Sequence, residues 1–372
     1  MLPFTLKFER RLNVSRRATI LTPIISLLLA LLFGALLLAV AGANPWQTYR
    51  AMIEGAFGST YNLTETLVKA TPLILTGMSV AIAFRMLFWN IGAEGQLVVG
   101  GIAAAWVALF LVEPLGFLPE SPWVWIPLMM IAAILAGAIW GLIPALLKAF
   151  LNVNEIITTL MFNYIAILFY QYLFTTAWKD PAGFGFPGTA QIAEFARLPR
   201  LSGRLHLGII LAVLAVVLIW VIMDKTRLGY EIRLIGENRR AAEYAGVSIV
   251  RNIIFVMLMS GGLAGVAGLA EVAGISYRLQ HGLAAGYGFT GIIVAWLARL
   301  NPFGVVLVGV LLAALLVGGD QIQITMGLPA SVALVLQGAI LLFVLGSDVF
   351  TRYRLRVIRH EPATPAPTQD AA

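Results

Sequence analysis

The 372-residue chain contains no cysteine and only three histidines, so several kinds of chemistry have no residues to carry them. Without cysteine the chain can form no disulfide, no thiolate metal site and no cysteine nucleophile. The histidines, His206, His281 and His360, are scattered among edge and tail positions. This distribution indicates neither a metal site nor a catalytic centre, and we predict none of either.

Charged residues are also scarce: they make up 12% of the chain, hydrophobic residues make up 60%, and the mean hydropathy is +0.90. Soluble domains carry about 25% charged residues, so this composition is typical of a helical protein that crosses a lipid bilayer several times. The net charge of +7 does not predict nucleic-acid binding, because the basic residues lie in short gaps between apolar runs.

Seven apolar segments have the length of about 20 residues that a helix needs to cross the hydrocarbon core. They lie near residues 20–43, 63–84, 91–112, 123–147, 156–177, 206–223 and 252–273. The first has 24 residues, whereas the apolar part of a signal peptide has about 7–15, so we predict an uncleaved first span.

A further apolar segment, 286–319, is interrupted by Asn-Pro-Phe-Gly at 301–304. An unbroken helix of this length would be about 51 Å long, too long for one crossing of a core about 30 Å thick. We therefore predict two short or re-entrant helices, 286–298 and 305–318, and a last span at 328–346. The predicted fold class is an all-α polytopic membrane protein with about ten transmembrane helices, two of them short or broken.

The positions of lysine and arginine predict the orientation. Five basic residues precede the first span and four arginines follow the last, so both termini should be cytoplasmic. This gives a basic N-terminus (1–19), a transmembrane domain (20–347) and a cytoplasmic tail that we expect to be disordered (348–372). Within the transmembrane domain, residues 224–251 form a cytoplasmic loop with six Lys or Arg residues, the charged segment.

The charged segment contains the signals of one short helix. Asn238 is a good N-cap and Gly246 a good left-handed C-cap, about two turns apart. Arg239 and Arg240 lie in the first turn, where the helix dipole disfavours cations, so we infer that they are there for something other than helix stability. The residues alone leave two interpretations open: a loop whose cations only enforce orientation, or a helix that docks a cytoplasmic partner.

Four stretches resemble permease subunits of ABC importers in the branched-chain amino acid, sugar and nucleoside branch. They are FWNIGAEGQLVVGG (88–101), NEIITTLMFNYIA (154–166), GENRRAAEYAG (236–246) and GYGFTGIIVAWLARLNPFGVV (286–306). They occur in the order of that branch and span the chain from about 60 to 345. The stretch at 88–101 is most similar to nucleoside and simple-sugar members. Relatives commonly have proline at the position of Arg239.

The resemblance implies that this chain pairs with a second permease subunit, two ABC ATPase subunits and an extracellular or periplasmic solute-binding protein, in a prokaryotic plasma membrane. It also implies that the charged segment couples to the ATPase through Glu237, Asn238, Arg239, Arg240, Ala241, Ala242, Glu243 and Gly246. The sequence has no P-loop, since no glycine is followed by lysine. ATP and Mg²⁺ would therefore bind the partner ATPase, and we predict that this chain binds no cofactor.

Polar residues inside the apolar segments are candidates for the translocation path, because burying them in lipid is costly. Glu94 is predicted to lie near mid-bilayer with Asn90 on the same helical face, and Thr159 and Asn163 form one stripe of the fifth span with Tyr164 beside it. Lining of the path and structural hydrogen bonding between helices are both open for these residues.

The predicted function is the permease subunit of an ATP-driven importer for a small polar solute, a nucleoside in preference to a simple sugar. The alternative is an ion-coupled secondary transporter, which would have no use for a docking helix. An intramembrane enzyme is disfavoured because neither His-Glu-x-x-His nor Gly-x-Ser-x-Gly occurs.

Overall fold

The computed structural model of the chain describes residues 4–10, 16–329 and 331–359, and its regular structure is almost entirely helical. The helices are α1 (Arg16–Val40), α2 (Pro45–Phe57), α3 (Thr60–Arg85), α4 (Ala93–Phe110), α5 (Pro122–Leu151), α6 (Glu155–Tyr172), α7 (Gly208–Lys225), α8 (Arg227–Glu237), α9 (Arg239–Tyr244), α10 (Ile249–Glu271), α11 (Tyr287–Leu297), α12 (Pro302–Met326) and α13 (Ser331–Arg352). One π-helical turn follows α6 (Leu173–Ala177) and another follows α10 (Val272–Ser276), and a 3-10 turn lies at Glu194–Ala196. The strands β1 (Phe4–Arg10) and β4 (Tyr353–Arg359) form one antiparallel pair, and β2 (Arg200–Ser202) and β3 (Leu205–His206) form another.

Among the described residues, seven helices are long and apolar enough to cross a bilayer: α3, α4, α5, α6, α7, α10 and α12. The bent pair of α1 and α2 gives an eighth if it counts as one span, and α11 and the first part of α13 are shorter apolar helices. The chain is thus an all-α polytopic membrane protein, as its composition predicts.

One compact unit joins residues 1–46 to residues 334–372. In it, β1 pairs with β4 so that Phe4 lies opposite Arg359 and Arg10 opposite Tyr353. The ring of Phe33 in α1 contacts that of Phe343 in α13, with centroids 5.9 Å apart. Of the predicted tail 348–372, residues 348–359 belong to α13 and β4, and residues 360–372 lie outside the described residues.

The second unit, residues 47–333, contains a core in which α10 packs against α3, α4 and α5. The helices approach so closely that their backbones touch at glycines. A Cβ atom on Gly261 would lie 2.3 Å from the carbonyl oxygen of Gly137, and one on Gly268 would lie 2.0 Å from that of Leu97. These glycines of α10 therefore serve helix packing.

The predicted break at residues 301–304 is confirmed, but the helix after it is much longer than predicted. Asn301 caps α12, accepting hydrogen bonds from the amides of Phe303 (3.0 Å) and Gly304 (3.1 Å), and Pro302 is its first residue. The prediction of a short helix over 305–318 is wrong, because α12 has 25 residues and is about 37 Å long. The polar residues from Asp320 onward extend the helix rather than end it, and Asp320 pairs with Lys69 of α3.

The loop between α6 and α7 lies along the chain that follows α10. Its backbone amides at Thr189, Ile192 and Leu198 donate to carbonyls of residues 273–279 at 2.8–2.9 Å. His206 closes this loop, 1% exposed, with Nδ1 accepting from the amide of Gly208 at 3.1 Å. Burial lowers the pKa of His206 to about 4, so the ring is neutral at physiological pH.

Candidate functional site

The charged segment forms two consecutive helices, α8 and α9, that share Asn238 as their boundary. The predicted short helix is confirmed as α9: Asn238 Oδ1 accepts from the amide of Ala241 at 3.1 Å, and Gly246 has a φ of +76° at its C-terminal end. The amide of Val247 then donates to the carbonyl of Ala242 at 3.0 Å. This hydrogen bond, with a left-handed glycine just before Val247, is a typical helix stop.

The preceding helix, α8, is absent from the sequence prediction. Thr226 caps it by accepting from the amide of Gly229 at 3.3 Å. Its buried face contains Ile232 and Ile235 next to the partly buried Leu228. The i, i+4, i+7 spacing of these three residues behind a threonine cap is the signal that would have identified it.

Glu231 connects α8 to the start of α10 and is buried, with 3% of its surface exposed. Its carboxylate accepts from Asn252 Nδ2 (2.9 Å), from Arg251 (2.8 Å) and from Arg227 (3.0 Å). These donors, the Asn252 amide foremost, lower the pKa of Glu231 below its ordinary value. The carboxylate is thereby held in its charged form at the base of the charged segment.

A backbone contact joins α8 to α3. A Cβ atom on Gly236 would lie 2.1 Å from the carbonyl oxygen of Arg85, so only glycine permits this approach. The guanidinium of Arg85 in turn donates to the carbonyl of Leu300 through Nη2 (3.0 Å) and Nε (3.3 Å). Leu300 and Arg299 both have left-handed backbones, with φ of 59° and 52°, at the corner between α11 and α12. Arg85 thus connects the charged segment to that corner, because its backbone contacts α8 and its side chain binds Leu300.

The arginines and acidic residues of α9 are exposed, whereas Ala242 is fully buried. Arg239 lies 3.4 Å from Glu243 in an i, i+4 pair, and Tyr244 is 93% exposed. The predicted coupling residues therefore form one continuous surface, except for Ala242, which fixes the helix against the bundle.

Residues 86–92, which the sequence prediction placed partly in the third span, are not helical. Because α4 begins only at Ala93, Asn90 does not share a helical face with Glu94. Asn90 instead hydrogen-bonds the side chain of Gln96 (3.1 and 3.2 Å) and donates to Ser260 of α10 (2.9 Å). All three side chains are buried, so this cluster satisfies its polar groups within the protein.

The predicted stripe on α6 lies against this non-helical segment. Thr159 Oγ1 accepts from the amide of Ile91 at 3.2 Å, and Asn163 Nδ2 donates to the carbonyl of Ile91 at 2.7 Å. Asn163 Oδ1 accepts from the amide of Gly95 at 2.8 Å. Tyr164 points away from this cluster and is 56% exposed. Four of the five predicted path residues are therefore close together and buried, and Tyr164 is separate.

Glu94 lies in the first turn of α4 and is 1% exposed. Its carboxylate accepts from the amides of Gly286 (2.8 Å) and Gly288 (2.5 Å), at the N-terminus of α11. An acidic side chain at this end of a helix satisfies free amides and complements the dipole. Glu94 thus holds the N-terminus of α11, while Arg85 holds the corner that follows its C-terminus.

Within the described residues, no group of three or more His, Asp or Glu side chains is placed to hold a metal ion.

Comparison with known proteins identifies a family. Residues 62–345 match the family model of the branched-chain amino acid transport system permease component. The chain is 38% identical, over 93% of its length and 92% of the relative's, to a glucose ABC transporter permease protein of Haloferax volcanii. It is 39% identical to the guanosine ABC transporter permease protein NupP of Bacillus subtilis, covering 90% of this chain and 95% of that one. A second guanosine permease of Bacillus subtilis, NupQ, is 27% identical over 64% of this chain and 75% of its own length.

Proposed function

The chain belongs to the permease-component family of branched-chain amino acid transport systems, and from this premise we propose that it forms half of the path by which an ATP-driven importer moves a nucleoside into a prokaryotic cell. A simple sugar is the second candidate solute. The relatives named for guanosine and glucose support both classes. Family membership makes the chain a transport subunit rather than an enzyme, and it displaces the alternative of a self-sufficient secondary transporter.

The observation that carries this proposal is the construction of the charged segment. α9 is too short to be stable by itself, yet it is capped at both ends, and α8 directly before it is fixed to the start of α10 through Glu231. We assign contact with the ATPase to the exposed residues and caps of α9: Glu237, Asn238, Arg239, Arg240, Ala241, Glu243 and Gly246. Ala242 is the buried residue that packs α9 against the rest of the protein. ATP and Mg²⁺ belong to that ATPase, and this chain binds no cofactor.

The remaining partners are a second permease subunit and a solute-binding protein on the outer face of a prokaryotic plasma membrane. A paralogous second permease is favoured over a second copy, because Bacillus subtilis has two different guanosine permeases that both resemble this chain.

We propose ten crossings with both termini in the cytoplasm. The pairing of β1 with β4 supports termini on one side of the membrane. Residues 277–300 would make one crossing, because α10 leads away from the charged segment, whereas the far end of α11 meets Arg85, whose backbone contacts α8 of that segment. α12 then returns as a full span.

For the translocation path we propose two roles. Asn90, Glu94, Thr159 and Asn163 position the non-helical segment 86–92 and the N-terminus of α11 beside the path. Tyr164 presents its ring on the outer face of α6, where a solute or the second permease can contact it.

The test is uptake by the reconstituted complex of both permeases, ATPase and binding protein, with labelled nucleoside competed by pentoses and hexoses. Unlabelled nucleosides should reduce the uptake of the label, and pentoses and hexoses should not. Uptake that is reduced by a sugar and not by nucleosides would assign the chain to sugars. Ala241→Glu places a larger, charged side chain on the exposed face of α9. It should abolish solute-stimulated ATP hydrolysis without affecting membrane insertion. Normal stimulation in that variant would contradict the docking assignment.

A further inference from the structure

A cleft of about 170 Å³ opens beside α9. Its floor is apolar and contributed by three parts of the chain: the non-helical turn after α3, α8 and the first turns of α10. The floor residues are almost fully buried: Met86, Phe88, Ile235, Ile249 and Ile253. The volume is large enough for one side chain. An apolar side chain fits it best, because the apolar floor offers a polar occupant no hydrogen-bond partner.

The rim of the cleft carries charge and one exposed apolar residue. Lys148 and Glu155 pair with each other at 2.9 Å, which leaves Arg239 as the cation of the rim that reaches outward. Leu87 is 58% exposed and has a left-handed backbone, with φ of 57°. A leucine in this conformation is strained, and such strain is typical of functional positions. An apolar side chain held outward at the lip is suited to contact a partner rather than the protein's own core.

Arg239 connects the cleft to the proposed docking surface, because it is both the first residue of α9 and part of the cleft lining. Any protein that covers α9 therefore covers the cleft mouth. Arg239 and Arg240 are exposed and only Glu243 is near enough to pair with either among the described residues, at 3.4 Å. The cleft lining contains two cations, Lys148 and Arg239, and one acidic residue, Glu155, so it has a surplus of one positive charge.

We propose that this cleft receives an apolar side chain from an acidic surface segment of the ATPase subunit, with Leu87 at the lip and Arg239 pairing with the acidic group. This rests on the proposed docking role of α9 and adds a second contact to it. It also gives a role to Arg239, which lies in the first turn of α9, where the helix dipole disfavours a cation. The partner is assigned as the ATPase because the cleft is continuous with α9 and its surplus charge complements an acidic segment.

The absence of cysteine makes a direct test possible, since Leu87→Cys would carry the only thiol of the chain. The variant is labelled with a benzophenone maleimide in the assembled complex and illuminated. Two matched variants accompany it: Tyr244→Cys on α9, which is 93% exposed, and Phe117→Cys in the connection between α4 and α5, which is 79% exposed. We expect the labels at positions 87 and 244 to capture the ATPase and the label at 117 to capture none.

Capture at 244 without capture at 87 would overturn the cleft proposal and leave the docking of α9 intact. Capture of phospholipid instead of ATPase at position 87 would also overturn it, by identifying the occupant as an acyl chain. Loss of capture at both positions would contradict the proposed function itself.

The role of Arg239 is tested in the Leu87→Cys background. Arg239→Glu should lower ATPase capture about tenfold, the effect of replacing one favourable charge pair by repulsion, whereas Arg239→Lys should retain it. The same two substitutions at Arg50 serve as controls, since that side chain forms a matched, exposed i, i+4 pair with Glu54 and does not line the cleft. Equal capture by Arg239→Glu and the parent would remove the arginine from the proposal.

Discussion

Two parts of residues 47–333 are held together by opposite means. Where α10 meets α4 and α5, the helices touch through backbone atoms, and the contact depends on the absence of side chains at Gly261, Gly265 and Gly268. Where α8 meets α10, the contact depends on side chains: the carboxylate of Glu231 and the donors around it. Close packing of backbones leaves no second arrangement nearby, whereas exposed arginine donors such as Arg227 and Arg251 can exchange the carboxylate for water. Movement driven by an ATPase is therefore expected in the charged segment first.

The largest effect is expected from adding a side chain to the glycine contact. In Gly268→Val the new Cβ atom would meet the carbonyl of Leu97 at 2.0 Å, so the helices must separate. We expect a loss of about 3 kcal/mol or more and little folded protein. Size-exclusion chromatography in detergent measures the folded fraction.

Gly338→Ala is the matched control, because a Cβ atom there meets nothing within 4 Å. It should behave as the parent. A monodisperse Gly268→Val protein would show that the helix contact tolerates separation. The contrast between the glycine contacts of α10 and the side-chain contacts of Glu231 would then be unfounded.

A smaller loss is expected from Glu231→Ala. The variant loses three charge-assisted hydrogen bonds, but two of the donors, Arg227 and Arg251, are exposed enough for water to replace the carboxylate. We expect about 2–3 kcal/mol, confined to α8 and α9. Hydrogen exchange of the amides of residues 227–246 should accelerate, while that of α4 and α10 should not.

Glu237→Ala, an exposed position at the end of the same helix, is the control and should exchange like the parent. Uniform acceleration throughout α10 in Glu231→Ala would mean that the two regions unfold as one unit.

Glu94→Gln should have an intermediate to small effect. Glu94 lies in the core, but like Glu231 in the charged segment it joins two helices through hydrogen bonds to its carboxylate. Glutamine retains one acceptor oxygen for the amides of Gly286 and Gly288 but loses the charge that complements the dipole of α11. We expect about 1 kcal/mol of local loosening and a reduced rate of solute uptake. Glu113→Gln, exposed after α4, should leave uptake unchanged; equal rates in both variants would reduce Glu94 to a role in folding alone.

The smallest effect near neutral pH is the titration of Glu231. Its pKa in the folded protein lies below the ordinary value of 4.5, so its contribution is complete above that value and is lost as the pH falls through the lowered pKa. Hydrogen exchange of α8, corrected for its intrinsic pH dependence, should be constant from neutral pH to about 5 and should accelerate only below. Glu231→Gln should remove the acid-dependent part; an unchanged profile in that variant would assign the titration to another group.

Much of the architecture follows from composition and periodicity, because lipid selects apolar helices of fixed length. The apolar runs predicted the spans of α3 to α7 and α10, and the shorter apolar helix α13, to within a few residues of most ends. Asn238 and Gly246 were identifiable as caps since their effect is local. α8 was missed because its pattern is short and interrupted by charges.

What the sequence determined by itself is the class of molecule: a multi-span helical protein, the family, the absence of a P-loop and the position of a short capped helix. These depend on residues near one another in the chain. The tertiary structure decided the rest. It showed that Glu94 serves the amides of α11, that Gln96 is the partner of Asn90, and that α12 continues past Asp320, which pairs with Lys69 of α3. A buried polar group is satisfied by whatever donor the fold brings to it, and the donor to Glu94 lies 194 positions away in the chain.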